Sequence, residues 1–174
     1  MTPAMIHDER VLVLLPTTRD GERLRTALVS IGLSGTLCMD MAELCREIMA
    51  GAGAALLTEE ALAADQDERL AAVLRSQPAW SDLPLLVLAR KGAAGRPLQL
   101  GESINLSLVE RPVRLRSLLS VVHAALRSRH QQYKVRAYLA ETERQADTLR
   151  DKEERLQFAL AAGQLGAWDV DLIT

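Results

Sequence analysis

Three short apolar runs constrain this chain most, because each is too brief for a packed helix and too uniformly apolar for a strand with one wet face. They are Val11 to Leu15, Ala54 to Leu57 and Leu85 to Leu88, and two further runs, Gly35 to Cys38 and Ile104 to Val109, are strand candidates interrupted by Thr36, Asn105 and Ser107. Continuous apolar runs of four or five residues fit strands buried on both faces, the arrangement of a parallel sheet covered by helices. Between the runs the apolar spacing changes to three and four. Leu24, Ala27, Leu28 and Ile31 lie on one side of a helix that Thr18 can cap and Gly32 ends. Asp40 with Glu43 forms a capping-box-like start for a second helix carrying Met41, Leu44, Cys45 and Ile48. Leu70, Val73 and Leu74 mark a third, which stops before Pro78. Strands alternating with helices imply right-handed crossovers, so the expected fold is α/β: a five-stranded parallel sheet, doubly wound, with helices on both faces.

Composition narrows what fills that core. Of 174 residues 48% are hydrophobic but only 3% are aromatic, so Leu, Ala and Val must pack it. A net charge of -2 supplies no overall cationic field, and no nucleic-acid partner is expected. The N-terminus lacks the pattern of a secretory signal, and no apolar run approaches the ~20 residues needed to cross a bilayer. A cytoplasmic chain without membrane insertion is the expectation. Cys38 and Cys45 lack metal-ligand spacing and fall in a strand and on an apolar helix stripe, as small core residues would. No metal or other cofactor is expected.

The stretch from Arg90 to Glu102 contains three Gly and a Pro, which favours loop over a fourth helix. From Val113 there is neither Pro nor Gly until Gly163, so one very long helix should close the chain. Its positions at alternating spacings of three and four are Leu118, Val121, Ala125, Ser128, Gln132, Val135, Leu139, Thr142, Ala146, Leu149, Glu153, Leu156 and Leu160. A 3.5-residue apolar period specifies a left-handed coiled coil. The expected seam is Leu118, Val121, Ala125, Val135, Leu139, Ala146, Leu149, Leu156 and Leu160, joining a parallel homodimer. Imperfect heptads leave a monomeric helix or an antiparallel pairing open.

The order of these elements, with Glu110, Arg111 and Pro112 ahead of the last helix, resembles a response-regulator receiver domain over roughly residues 10 to 128. The resemblance implies an acidic pair after the first strand, a phosphoacceptor aspartate ending the third, a Ser or Thr ending the fourth and a lysine after the fifth. Here the acidic pair falls on Leu15 and Pro16, or on Pro16 and Thr17 in the shifted register. Thr58 stands at the phosphoacceptor position, Ala89 at the Ser/Thr position, Arg111 at the lysine and Leu108 at the switch aromatic. Without carboxylates a hard cation such as Mg²⁺ has no ligands, and a neutral hydroxyl is a poor nucleophile for phosphoryl transfer. The resemblance therefore implies a degenerate receiver, or pseudo-receiver, that is not an enzyme. An atypical phosphoacceptor at Thr58 or Glu59, or an adaptor binding another signalling protein through the loop from Arg90 to Glu102 and the fifth strand, are the alternatives. Arg111 can pair with Glu59 or Glu60, or these acids can simply begin the third helix in solvent.

A second resemblance lies in Arg155 to Leu172, RLQFALAAGQLGAWDVDL, which is similar to the opening of a PAS sensory domain. The two together imply the order found in bacterial sensor histidine kinases, with the remaining PAS strands and the kinase core beyond Thr174. The expected organisation is a receiver-like domain over 1–128, a signalling helix over 129–160 and a PAS-like start over 161–174. His123 and His130 lie seven apart, too far for a two-ligand clasp on one helix, and read as surface residues. Trp80 reads as a cap on the core edge, and Lys91 to Gly95 as flexible loop without phosphate-loop spacing.

Overall fold

The computed structural model describes residues 9–92 and 104–167, with side chains to 163. Each apolar run becomes a strand: β1 is Val11–Leu14, β2 Gly35–Leu37, β3 Ala54–Thr58, β4 Leu85–Arg90 and β5 Leu106–Arg111. All pair in parallel in the order β2-β1-β3-β4-β5. The helices are α1 Thr18–Ser30, α2 Met41–Ala50, α3 Glu59–Ala64, α4 Arg69–Arg75 and α5 Leu115–Ala167.

Strand side chains alternate between faces, which is why both faces had to be apolar. Leu12, Leu14, Ala55, Leu57, Leu85 and Val87 point into one core with Leu44, Cys45 and Ile48 of α2, Leu62 of α3 and Leu70 and Leu74 of α4. Val11, Val13, Ala54, Leu56, Leu86 and Leu88 face the other way, onto Leu24 and Leu28 of α1 and Leu118, Val122 and Ala125 of α5. Both cysteines are buried, Cys38 just beyond β2 and Cys45 on α2.

Local chemistry sets the helix ends, and in places it moves them from where the pattern put them. Thr17, not Thr18, caps α1: its Oγ1 accepts from the Asp20 amide at 3.2 Å and donates to the Asp20 carboxylate at 2.6 Å. The α1 C-terminus turns at Gly32, φ 80°, with the Leu33 amide on the Leu28 carbonyl at 2.9 Å. Asp40 caps α2 through the Glu43 amide, and Glu43 reaches back to the Met39 amide, both at 2.7 Å. The third helical segment is split. α3 stops at Ala64, and the Asp65 carboxylate accepts from the Arg69 and Leu70 amides to start α4 afresh.

β5 lies two residues later than the apolar run suggested. Its partner β4 decides this, since pairing runs from Leu85 with Leu106 to Arg90 with Arg111 and leaves Ile104 outside the ladder. Arg111 accordingly ends this strand, and α5 begins at Leu115 instead of Val113.

The chain divides after Tyr133 into two units, so the receiver-like unit extends past the expected boundary at 128. Three side chains of α5 hold those extra residues to the unit. Arg129, 5% exposed, donates to the Ala52 carbonyl at 3.2 Å and to Ser81 Oγ and Gln132 Oε1 at 2.8 and 2.7 Å. Gln132 bridges the backbone of Asp82 through both ends of its amide. The Tyr133 hydroxyl donates to the same Ala52 carbonyl. Trp80 is half-buried in this cluster, with the Arg129 guanidinium 5.6 Å from its ring and 4.8 Å from that of Tyr133.

This packing corrects the expected seam. Leu118 and Ala125 are buried in the core and Val121 packs against it, because α5 must cover one sheet face before it can meet anything else. Val135, Leu139, Ala146, Leu149, Leu156 and Leu160 are exposed. Among the described residues, no helix is long and apolar enough to cross a membrane. Most of the loop from Arg90 to Glu102, and Trp168 onward, lie outside the described residues.

Candidate functional site

Parallel pairing brings the carboxyl ends of β1, β3, β4 and β5 to one edge of the sheet, where open α/β folds place their functional groups. Leu15 is half-buried there and Pro16 is exposed, and neither offers a charged oxygen. They line a small pocket with Thr17, Thr18 and Met39. Arg111 belongs to a different, shallow hollow with Glu60, Leu88, Arg90, Pro112 and Val113. The five predicted pocket positions are thus not one cavity.

Thr58 is 1% exposed, and its Oγ1 accepts from the Ala61 amide at 3.3 Å. The hydroxyl works as the N-cap of α3, which is the ordinary use of a threonine at a strand-to-helix junction. Ala89, 3% exposed, contributes only a methyl group to the wall.

The charged chemistry of this edge lies just beyond Thr58. Glu59 and Glu60 open α3, and two guanidiniums reach them from the ends of neighbouring strands. Arg111 Nη2 stands 2.6 Å from Glu60 Oε1 and 3.6 Å from Glu59 Oε1. Arg90 Nε stands 2.9 Å from Glu59 Oε1, and its Nη2 3.4 Å from Glu60 Oε1. Two acids and two bases form a closed ionic lattice across β3, β4 and β5. Glu59 is 14% exposed and Arg111 29%, so their attraction is screened less than that of a surface pair. Glu60 Oε2 and Arg111 Nε are enclosed without a hydrogen-bond partner among the described residues.

The Arg111 hydrogen bond holds the Glu60 carboxyl below the usual glutamate range, against an opposing contribution from burial. A folded-state pKa below the unfolded one means that the native state binds fewer protons, so this stabilisation is complete above the ordinary carboxylate pKa of about 4.3 and fades as pH falls through the folded value. Arg111→Ala is expected to lower the melting temperature by a few degrees at neutral pH. The gap to the parent chain should narrow steadily on acidification, which melting curves across pH 7 to about 3 would check.

Arg90 is the member of this lattice that reading the sequence missed. The available signal was register, since aligning the ends of β4 and β5 puts Arg90 beside Arg111. The two cysteines are free and buried. Burial, followed by Glu43 and Glu47, pushes the Cys38 thiol up to about 11, and burial also raises Cys45. Among the described residues no group of three His, Cys, Asp or Glu side chains is placed to hold a metal ion.

No protein-family model matches the sequence, and no curated protein matches it. Solved structures do. The receiver domain of a Francisella response regulator superposes with a TM-score of 0.57 at 16% identity, over 70% of this chain and 98% of that one. A sensor protein from Polaromonas gives 0.56 at 16% identity, over 69% and 97%. NtrX from Brucella abortus, solved in complex with ADP, gives 0.58 at 17% identity over 74% of this chain, which spans only 28% of its length. The fold is that of response-regulator receiver domains, and the long C-terminal helix follows its fifth strand.

Proposed function

We propose that this chain is a pseudo-receiver: a noncatalytic regulatory and dimerisation module of a two-component sensor histidine kinase. The observation that carries the reading is the ionic lattice of Glu59, Glu60, Arg90 and Arg111 at the sheet edge where a receiver would keep its phosphoacceptor and metal-binding acids. Its acids are already neutralised by arginines, Thr58 caps a helix, and Leu15 and Pro16 offer no cation a ligand. Chemistry resides in sites and not in folds, so a receiver scaffold without these groups keeps the shape and not the reaction. The second half of α5 then serves as the output, pairing with a second copy through Val135 to Leu160 in the cytoplasm. The similarity of Arg155 to Leu172 to a PAS opening supports a PAS domain as the recipient of the signal.

The test is incubation with a small phosphodonor such as acetyl phosphate and Mg²⁺, followed by intact-mass measurement. No stable added phosphoryl mass is expected. An added phosphoryl group that disappears in Thr58→Ala or Glu59→Gln would replace this reading with an atypical phosphoacceptor.

A further inference from the structure

The edge of the sheet opposite the lattice carries a feature that the regulatory reading does not use. Three polar or charged residues are buried among the described residues: Arg10, Thr58 and Arg129. Arg10 has its counter-ion, Glu47, at 2.7 Å. Arg129 has none. Its described partners are a carbonyl, a hydroxyl, an amide oxygen and two aromatic rings, so a full positive charge is buried without a carboxylate. A buried cation held only by neutral dipoles remains a strong attractor for an anion.

Arg129 forms part of the wall of a hollow of about 270 Å³ between α5 and the turn after α1. Leu33, Leu126 and the Tyr133 ring give it an apolar lining. His123, Arg127 and His130, spaced four and three apart and therefore on one side of α5, add basic groups at its exposed rim. Among the described residues Glu9 is the single acid in this lining, and it forms no ion pair there. Apolar surface with a few convergent polar groups is the general character of a small-ligand site. At the roughly 30 Å³ that a water occupies in the liquid, the space takes about nine non-hydrogen atoms.

We propose that this hollow binds a small amphiphilic carboxylate, its hydrocarbon body against Leu33, Leu126 and Tyr133 and its anionic head toward Arg127 and Arg129. The size limit points to a medium-chain acid and excludes a long-chain lipid lying wholly inside. The proposal is independent of the phosphotransfer reading, because the two sites lie at opposite ends of the strands and share no residue.

Octanoate is the probe, titrated into the ¹⁵N-labelled full chain. Saturable amide shifts confined to Leu33 and residues 123–133 are expected. Acetate, which has the charge without the body, and 1-octanol, which has the body without the charge, should each bind at least tenfold more weakly. Arg127→Glu, a change at an exposed position, should weaken octanoate at least tenfold while the rest of the spectrum stays in place. Leu33→Trp should abolish binding by filling the space. Linear, unsaturated shifts across the millimolar range, equal binding of octanol, or an Arg127→Glu chain that binds octanoate unchanged would each overturn the proposal.

Discussion

Leu149→Asp is expected to leave the proposed dimer as single subunits with intact receiver-like units. Leu149 is 65% exposed, as are its seam neighbours Leu139 at 48% and Leu156 at 61%, a large apolar stripe for a lone helix to show to water. In a paired helix Leu149 would be a buried knob from each copy. An aspartate there removes that burial and introduces a charge, costing about 4 kcal/mol, or roughly a thousandfold in dissociation constant. Light scattering coupled to size exclusion would read the mass, and far-UV dichroism would show that the strands persist. Phe158→Asp is the matched control, since Phe158 is 78% exposed but falls off the seam, and it should leave the mass unchanged. Glu153→Leu should tighten the pair, because Glu153 occupies a seam position that places like charges together. A parent chain that runs as a monomer, or a Leu149→Asp chain that runs as a dimer, would remove dimerisation from the proposed function.

The largest expected loss of stability is at Leu56. It sits in β3, the middle strand of the sheet, is fully buried, and packs among Val13, Leu28, Leu86 and Val122. Leu56→Ala is expected to destabilise the receiver-like unit by about 2 to 5 kcal/mol, from lost transfer energy and the cavity left behind. The upper part of that range is favoured because the core is built from branched aliphatic side chains, and close-packed interiors of this kind relax only partly around a missing group. Urea unfolding should show a lower midpoint at an unchanged slope. Leu108→Ala, on the edge strand and 42% exposed, should change stability by less than about 1 kcal/mol. Equal effects at the two positions would contradict the burial assigned here.

These contrasts mark what was legible in the residues. β1, β3 and β4 stood out because strands buried on both faces admit hardly any polar side chain, so their runs are unbroken. β5 was readable only approximately. At an edge its exposed Ser107 and Leu108 carry no clean pattern, and its position is decided by hydrogen bonds to β4. The heptad stripe was read as one seam, although its first turns cover the sheet. Leu118 and Leu149 look alike along a helix, and the difference between them is what stands opposite. At the candidate site, the absence of carboxylates at positions 15, 16 and 58 was visible by inspection. The role of Arg90 was not, because it depends on two strand ends lying side by side.

Residue order by itself determined the alternation of strands and helices, the aliphatic character of the core and the absence of acids at positions 15, 16 and 58. Each follows from side-chain chemistry and local period, which act within a few residues. Tertiary structure decided which apolar stripe is covered, where β5 ends, that Arg90 and Arg111 close on Glu59 and Glu60, and that Arg129 is buried without a counter-ion among the described residues. Those outcomes depend on groups tens of residues apart being brought within a few ångströms, where charge and burial have their largest effect.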